Sequence, residues 1–591
     1  MKKKVGPRIS DKDYGDIRQA ILEQKVVPSM RLLWSSGTAV DKTNVCAYNC
    51  SFIVPTRIKD FGEMMYILMC GTGVGFSVEN KTVEQLPGIK NQTGELLPKF
   101  VVEDSKEGWA DAFIHGLDAW FNGKDVEFDY SQLRPEGARL KTMGGRSSGP
   151  QPLINLMEFS RAKLLANQGK KLSTLDVHDI CCKIGEVVVS GGVRRSAMIS
   201  LSDLNDEEMQ NAKSGEFWNN NPQRFMANNS AVYNEKPNIG EFLKEWTALV
   251  KSGTGERGIF NRGSLEKQLP ARRWEKFKTF AQTCGTNPCG EIILRNRQFC
   301  NLTSIVARED DTPESLMEKI RLATILGTYQ ASLTDFKYLS DEWKINSEEE
   351  ALLGVSITGA WDCPIIRDAH LLRKLRDHSI EVNDEYAVKL GINPSTCVTC
   401  IKPSGNSSQF LDTSSGLHPR HSKYYIRRVR ISKTDPLFRM MAEQGVKYHP
   451  EVGQTMENAH TFVLEFPVES PDGVYKDDLS AIEQLENWKL FKENFTEHNP
   501  SVTISVGDDE WIQTADWIYK NWDIIGGLSF LPRDNHVYQL APYEAIDKHT
   551  YEEMAAAFPD IDYSKIFDYE REDETQGAKE YACVGNSCEI V

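Results

Sequence analysis

Residues 286–304, Thr-Asn-Pro-Cys-Gly-Glu-Ile-Ile-Leu-Arg-Asn-Arg-Gln-Phe-Cys-Asn-Leu-Thr-Ser, restrict the fold more than any other part of the chain. Within five residues they set an amide (Asn287), a thiol (Cys289) and a carboxylate (Glu291), separated by Pro288 and Gly290. Proline fixes φ and lacks an N–H, and glycine admits backbone shapes that other residues avoid. The stretch is therefore a poor helix and a poor strand. It reads as a tight loop tip that presents three polar side chains in one direction. Cys300 follows just ahead of a strand-like run over 302–306. The plainer reading is a polar turn with an incidental buried cysteine, since cysteine is among the most buried residue types. Taken alone, the stretch leaves both readings open.

The rest of the chain narrows the field. Its 591 residues suffice for two to four domains or one large α/β unit. With 40% hydrophobic and 26% charged residues it has the composition of a globular protein. A net charge of −16 argues against wholesale nucleic-acid binding, although a local basic patch could hold a small anion. No apolar run approaches a membrane span, and the basic start has no apolar segment behind it, so no signal peptide is expected. Thirteen cysteines without such a signal favour a reducing, cytoplasmic setting, where thiols are buried, catalytic or metal-binding. There is no HExxH, no paired CxxC and no Walker loop, and no metal site is expected.

Along the chain, residues 11–24 read as an amphipathic helix with an acidic first turn. Cys50 heads a short β-like run, and Cys46 lies four residues before it, too few ligands for zinc. Gly71-Thr-Gly-Val-Gly-Phe-Ser-Val comes between a helix-like stretch and a strand, the reverse of a dinucleotide-binding turn. Close packing of helix on strand accounts better for its glycines. Residues 79–105 are polar and turn-rich, 125–133 strand-like, and 153–168 and 173–190 helical. Loops 143–149 (with Gly144, Gly145 and Arg146) and 190–197 (with Gly192, Arg194 and Arg195) carry glycines and arginines suited to an anion; solvated basic turns are the alternative. Helices are expected over 237–253, 271–284, 313–339, 366–390, 478–496 and 509–521, and strands over 353–357, 423–432, 460–467 and 501–506. Cys397-Val-Thr-Cys400 sits among β-formers and reads as a buried strand. Pro403-Ser404-Gly405-Asn406-Ser407 reads as a phosphate cradle at a helix start. The tryptophans of 509–521 read as core. After 557 the pattern decays into an acidic tail ending in Cys583 and Cys588. A tail is a poor place for a structural cysteine. About 25 flexible residues reach roughly 25–30 Å, so this pair reads as a dithiol shuttle.

Loop thiol, carboxylate, further thiols, phosphate cradle and tail dithiol together suit a two-electron reduction of a phosphorylated substrate. The set resembles a ribonucleotide reductase. The matching pieces are Asn287-Pro-Cys-Gly-Glu, Cys300-Asn-Leu, Asn49-Cys-Ser-Phe, Lys402-Pro-Ser-Gly, Gly191-Gly-Val-Arg-Arg-Ser-Ala, Gly73-Val-Gly-Phe-Ser-Val and the terminal Cys-x4-Cys. Arg134-Pro-Glu-Gly-Ala, Ser148-Gly-Pro-Gln-Pro-Leu-Ile, Ala227-Asn-Asn-Ser and Leu540-Ala-Pro-Tyr-Glu are similar to the monomeric, adenosylcobalamin-dependent (class II) triphosphate branch. The matches run in order from about residue 28 to the end, and the ordered set is far more specific than any one motif.

The resemblance implies an α/β fold: a ten-stranded barrel of two antiparallel halves, each of five parallel strands, with 286–304 as a central finger. It implies an N-terminal helical segment (1–27), a catalytic barrel (28–557) and a flexible redox tail (558–591). It implies that Cys289 carries a thiyl radical and removes the ribose 3′-hydrogen, that Glu291 is general base on the 3′-hydroxyl, and that Asn287 holds the sugar. Cys50 and Cys300 would supply the reducing equivalents, Cys583 and Cys588 would renew them, and a thioredoxin-like protein would reduce the tail. Pro403 to Ser407 would cradle phosphates, and the two glycine–arginine loops would link a deoxynucleotide effector to substrate choice. Members that draw their radical from a partner subunit use adjacent tyrosines late in the barrel. Here that stretch reads Gly527-Leu-Ser-Phe-Leu-Pro, which favours adenosylcobalamin. No Asp-x-His-x-x-Gly motif is present, and the branch keeps the cofactor's own base on cobalt. The short N-terminus leaves no room for an ATP-cone, and 75–109 is shorter than in the closest branch, so monomer and homodimer both remain open. The rivals are a reductase chain that needs a radical-generating subunit, and a zinc or thiol regulator using Cys397 and Cys400 with the tail cysteines Cys583 and Cys588.

Overall fold

The computed structural model describes residues 1–139, 146–190, 197–452, 454–457, 459, 461–533, 539–571, 581–583 and 588–590. Short buried strands separated by helices form its centre. The first five are β1 (Cys50–Ile53), β2 (Gly73–Ser77), β3 (Met198–Asp203), β4 (Ala227–Tyr233) and β5 (Gly258–Asn261), each parallel to the next. Then come β6 (Gln298–Cys300), β7 (Thr303–Val306), β8 (Val355–Thr358), β9 (Thr503–Val506) and β10 (Gly527–Pro532). β7 is parallel to β8 and β9 to β10, and the parallel bridges Val355↔Thr399 and Ile401↔Pro500 join these pairs through residues 399–401. β5 runs antiparallel to β10, so the two halves oppose each other. The strands of one half therefore begin at the end of the molecule where those of the other finish.

Strands β1, β2, β5, β7 and β8 are buried at every residue. That is the pattern of parallel strands covered on both faces. The covering helices include α1 (Ile58–Met69), α2 (Lys106–Phe121), α3 (Gln151–Ala166), α4 (Thr174–Ser190), α5 (Pro313–Ala331) and α6 (Ala369–Leu390); a short helix, α7, spans Asn406–Leu411. α1 is apolar almost all round and is buried accordingly. Its two buried acids are both paired: Asp60 with Arg297 at 2.7 Å, and Glu63 with the Trp343 indole N–H at 2.9 Å. Among the described residues no helix is long and apolar enough to cross a membrane.

The resemblance implies a closed barrel. Both parallel halves are present, but the hydrogen-bonded ladder stays open at the second seam. The outer edge of β7 is taken by Val26–Val27, while β1 pairs antiparallel with β6. The sequence reading also passes over several helices, among them α2 and Asp341–Glu350. α2 carries Gly108 and Gly116, which weaken its helical signal; its buried Ala110, Phe113, Leu117 and Trp120 decide the matter. Past residue 557 the expected tail is not all loose chain. Phe558, Ile561, Ile566 and Tyr569 pack on a separate small core under the strands Tyr424–Ser432 and Thr461–Glu469. Farther on, Cys583 stands opposite Cys588 in a two-stranded antiparallel pair.

The glycines of β2 have a different purpose from the helix packing expected of them. A Cβ on Gly75 would lie 2.0 Å from the Thr286 carbonyl oxygen, and one on Gly73 3.2 Å from the Pro288 ring. They let the 286–292 loop lie directly on the strand. Gly75→Ala is therefore expected to lower stability by about 1–3 kcal/mol through overpacking. Gly473→Ala, where a Cβ meets nothing within 4 Å, should change it by less than about 0.5 kcal/mol. Thermal melts of the two variants side by side test this; equal midpoints would mean that the loop does not depend on the glycine.

Candidate active site

The loop foreseen at 286–304 is a hairpin. Gly285–Thr286 and Ile293–Leu294 pair antiparallel, and 287–292 forms its tip. The Asn287 side-chain oxygen accepts from the Ile292 N–H at 2.9 Å, and the Gly290 N–H donates to the Asn287 carbonyl at 2.9 Å. Gly290 takes φ +81°, which glycine adopts without strain. From below, Asn499 donates through its amide to the carbonyls of Gly290 and Gly527, both at 3.1 Å, and through its backbone N–H to Glu291 O at 3.0 Å. Ser501 donates to the Cys289 carbonyl.

This closure leaves a defined set of groups free. Asn287 and Glu291 are buried, yet Asn287 Nδ2 and Glu291 Oε2 have no hydrogen-bond partner. Cys289, between them, is exposed. Buried unpartnered polar atoms are rare and need a reason. A donor and an acceptor side by side are satisfied together by a hydroxyl group, which accepts from one and donates to the other.

Electrostatics point the same way. Burial raises the Glu291 carboxyl from its ordinary 4.5 to about 7, against the opposing pull of its own backbone N–H, the Asn287 amide and Lys402. The protein around the Cys289 thiol, with Glu291 and Cys50 beside it, holds that thiol well above its usual range despite its open face. Burial and the neighbouring Cys50 do the same for Cys300. Both sulfurs therefore keep their hydrogens. Lys402 is buried beside these groups. Burial lowers its pKa, while Glu291, Cys400, Cys289 and Cys50 pull the other way.

Cys50 and Cys300 are directly opposed across the β1–β6 ladder, and Cys50 donates or accepts a thiol hydrogen bond with Cys300. Opposed antiparallel residues have Cα atoms about 4.5–5.5 Å apart, within the range of a disulfide. The Cys50 sulfur would be 3.4 Å from a Cβ on Gly73, the same point the Pro288 ring approaches. The thiol pair thus lies next to the loop tip.

The 403–407 segment follows residues 399–401 and so emerges at the end where β1 and β2 begin. The Gly405 N–H donates to Ser415 Oγ at 3.0 Å, and Ser404 hydrogen-bonds to Thr358 at 2.5 Å. Pro403, Ser404, Gly405 and Ser407 are therefore held by β8 and the 414–416 turn, with Asn406 opening α7. Cys397 and Cys400 are buried in the core that also contains Cys50 and Cys300, as the strand reading of their motif expects. Gly144, Gly145, Gly192, Arg194 and Arg195 lie outside the described residues, and Arg146 is described only by its backbone in the short strand Arg146–Ser148. The sequence reading missed Asn499 and Ser501, which sit in an ordinary Asn-Pro-Ser with no distinguishing signal. Lys402 could have been singled out, since it opens the matched Lys-Pro-Ser-Gly.

Comparison with known proteins agrees with this geometry. A family model, "B12-dependent ribonucleotide reductase, insertion domain", matches residues 85–162. The insertion is thus present in the region expected to be short. An adenosylcobalamin-dependent ribonucleoside-triphosphate reductase of Euglena gracilis is 28% identical over 91% of this chain and 74% of its own length. One of Lactobacillus acidophilus is 28% identical over 95% and 87%. A crystal structure of a B12-dependent (class II) ribonucleotide reductase superposes with a TM-score of 0.76 at 22% identity, over 95% of this chain and 89% of that one. Over most of its length the chain is similar to the class II ribonucleotide reductases. The structure contains a hairpin at 285–294 and places Cys50 opposite Cys300.

One consequence concerns Glu291. The folded chain keeps a carboxyl proton that the unfolded chain releases between pH 4.5 and about 7, so its contribution to stability falls as pH rises through that window. Glu291→Gln removes the loss. The stability of the variant relative to the parent should rise by about 3 kcal/mol between pH 4 and pH 8. Denaturant melts at both pH values measure it, and a constant difference would contradict the burial account.

Proposed function

We propose that this chain is an adenosylcobalamin-dependent ribonucleoside-triphosphate reductase, converting ribonucleotides to 2′-deoxyribonucleotides for DNA synthesis. The observation that carries the reading is the pair of unpartnered groups, Asn287 Nδ2 and Glu291 Oε2, flanking an exposed thiol beside two opposed cysteines. A ribose offers the hydroxyl that this pair lacks. On this reading the two parallel halves are the walls of a ten-stranded barrel around the finger. The protein acts in the cytoplasm, as a monomer or homodimer.

The residues at the site fit adenosylcobalamin. Cys289 faces open space, as it must to exchange a hydrogen atom with a bound group. Two histidines near the loop's supports, half-buried His418 and buried His498, are engaged at both ring nitrogens: His418 by Ser415 and Thr503, and His498 by Arg273 and Leu353. Neither is free for cobalt, which fits a cofactor bound through its own base. Gly527 approaches the Gly290 carbonyl, and by strand alternation Ser529 and Leu531 share its face. These residues, with Thr503 bonded to Ser529 at 3.1 Å, would hold the cofactor. Adenosylcobalamin supplies, when bound, the radical that removes the Cys289 hydrogen atom.

The chain's own residues do the rest. Asn287 donates to the sugar and orients it. Glu291, poised near neutrality, takes the 3′-hydroxyl proton and can return it. Cys289 removes and restores the 3′-hydrogen. Cys50 and Cys300 give two hydrogens as the 2′-hydroxyl departs as water, and end as a disulfide. Cys583 and Cys588, opposite each other in their hairpin, reduce that disulfide by exchange and are themselves reduced by a thioredoxin-like protein. Lys402 and the 403–407 loop neutralise and hold the phosphates. The loops around Gly144, Gly145, Arg146, Gly192, Arg194 and Arg195 couple a deoxynucleotide effector to base choice.

The test is anaerobic conversion of CTP to dCTP by the purified chain with adenosylcobalamin, a small dithiol and a panel of deoxynucleotides. Turnover should vanish in Cys289→Ala. It should persist in the Cys583→Ser, Cys588→Ser double variant with the small dithiol, and be lost in that variant when a thioredoxin is the only reductant. Folded protein without turnover on CTP or CDP would favour the reading in which a separate subunit generates the radical.

A further inference from the structure

A second thiol cluster lies outside the site. Cys46 is in the 3-10 turn Asn44–Ala47, four residues ahead of Cys50, and Cys70 caps α1 three residues ahead of Gly73. Both are fully buried and both are reduced thiols. They are hydrogen-bonded to each other. The two segments that carry them are laced together: Thr72 Oγ1 donates to the carbonyls of Val45 and Tyr48, both at 3.0 Å, and the Gly73 N–H donates to Asn49 O at 2.9 Å. The Lys106 ammonium reaches both sulfurs, at 4.0 Å from Cys46 and 3.7 Å from Cys70. Nothing in the proposed reaction uses any of these three groups.

A simple buried thiol has no need of a lysine. Here the other groups facing the pair are Arg31, Glu107 and Tyr66. The Cys70 hydrogen bond first, then Lys106 and Arg31, outweigh burial and Glu107 and bring Cys46 down to about 6. Cys70 goes the other way, held up by burial and by Cys46. The arrangement is one thiolate, one protonated thiol and a cation between them. Cations beside a sulfur lower its pKa as they do in reactive cysteines, here at two buried thiols that only a reagent as small as peroxide could reach.

We infer that Cys46 and Cys70 form a second redox pair, separate from Cys50 and Cys300, which a small peroxide oxidises to a disulfide. The Cys46 thiolate attacks one peroxide oxygen, the O–O bond breaks, and the other oxygen leaves as water after taking a proton. The resulting sulfenic acid is attacked by Cys70 sulfur; the S–S bond forms, and hydroxide leaves with the Cys70 proton as a second water. Two thiols and one peroxide become one disulfide and two waters. A small dithiol reverses the change by exchange. Because Thr72 Oγ1 and the Gly73 N–H already tie the two segments together beside the sulfurs, the bond closes with little movement.

The experiment uses the full chain, reduced, freed of dithiol and exposed to equimolar hydrogen peroxide, then alkylated, cut with trypsin and mapped by mass spectrometry. Cys46 and Cys50 share the peptide 43–57, and Cys70 lies in 60–81. The expected product joins these two peptides and is lighter than their sum by two hydrogens. It persists in Cys50→Ser, disappears in Cys70→Ser, and is released by a small dithiol. In Lys106→Met it should form about tenfold more slowly at pH 7, because less of Cys46 is thiolate. Circular dichroism confirms that the variants fold. Free alkylated Cys46 and Cys70 alongside an oxidised Cys50–Cys300 pair would overturn the inference. So would a link that is lost in Cys50→Ser, or a bridge from Lys106 to either sulfur retaining a peroxide oxygen.

Discussion

A buried carboxylate, Glu350, holds the stem of the finger hairpin in place. It accepts from Arg273 at 3.0 Å, Gln298 at 2.8 Å and Thr396 at 3.1 Å, and Arg295 lies 3.3 Å away. Burial opposes its charge, and Arg273 and Arg295 more than offset that. Arg273 also donates to the Ile293 carbonyl at 2.6 Å, in the hairpin's returning strand. Arg295 and Gln298 belong to the hairpin's exit. Removing one partner of such a pair typically costs about 3–5 kcal/mol, because the other charge is stranded. The cluster therefore clamps four segments that are separate in sequence: 273, 293–298, 350 and 396. A loop tip with unsatisfied polar atoms is costly, and it persists because its stem is over-determined in this way.

The opposed halves explain why so many functional groups meet. Strands β1 and β2 begin where residues 399–401 end, so Cys50 and Gly73 share one end of the molecule with Lys402 and the 403–407 loop. The open glycine face of β2 then admits the finger, which brings Cys289 to the thiol pair. Topology does the gathering, and the absence of two methyl groups permits the final approach.

The same burial serves two chemical ends. It holds Cys300 protonated, as a hydrogen donor must be, and it raises Glu291 to where a proton can be both taken and returned, while the protein around the open-faced Cys289, with Glu291 and Cys50 beside it, keeps that thiol protonated too. At Cys46, the hydrogen bond with Cys70, helped by Lys106 and Arg31, reverses the outcome, and a buried thiol becomes a thiolate. Hydrogen bonding and local cations, rather than depth, separate the two kinds of cysteine.

Much of this was legible in the chain. The Pro–Gly loop, Cys50 at a strand head, the burial of Cys397 and Cys400 (though in isolated bridges rather than a strand) and the helices over 151–166 and 174–190 follow from local chemistry and periodicity, because each is determined by neighbours in sequence. Helix α2 was not legible, since its glycines obscure a face that only packing reveals, nor was the docking of 558–571, whose few apolar residues need the small sheet to receive them. The open second seam came from Val26–Val27 claiming the edge of β7, a pairing nearly 280 residues apart that no local pattern announces. The sequence by itself determined which groups could do chemistry: the loop's amide, thiol and acid, and the further thiols. Only the tertiary structure decided which thiols pair and which stay protonated. Pairing depends on strand register and protonation on burial and nearby cations, and both arise between segments that are remote along the chain.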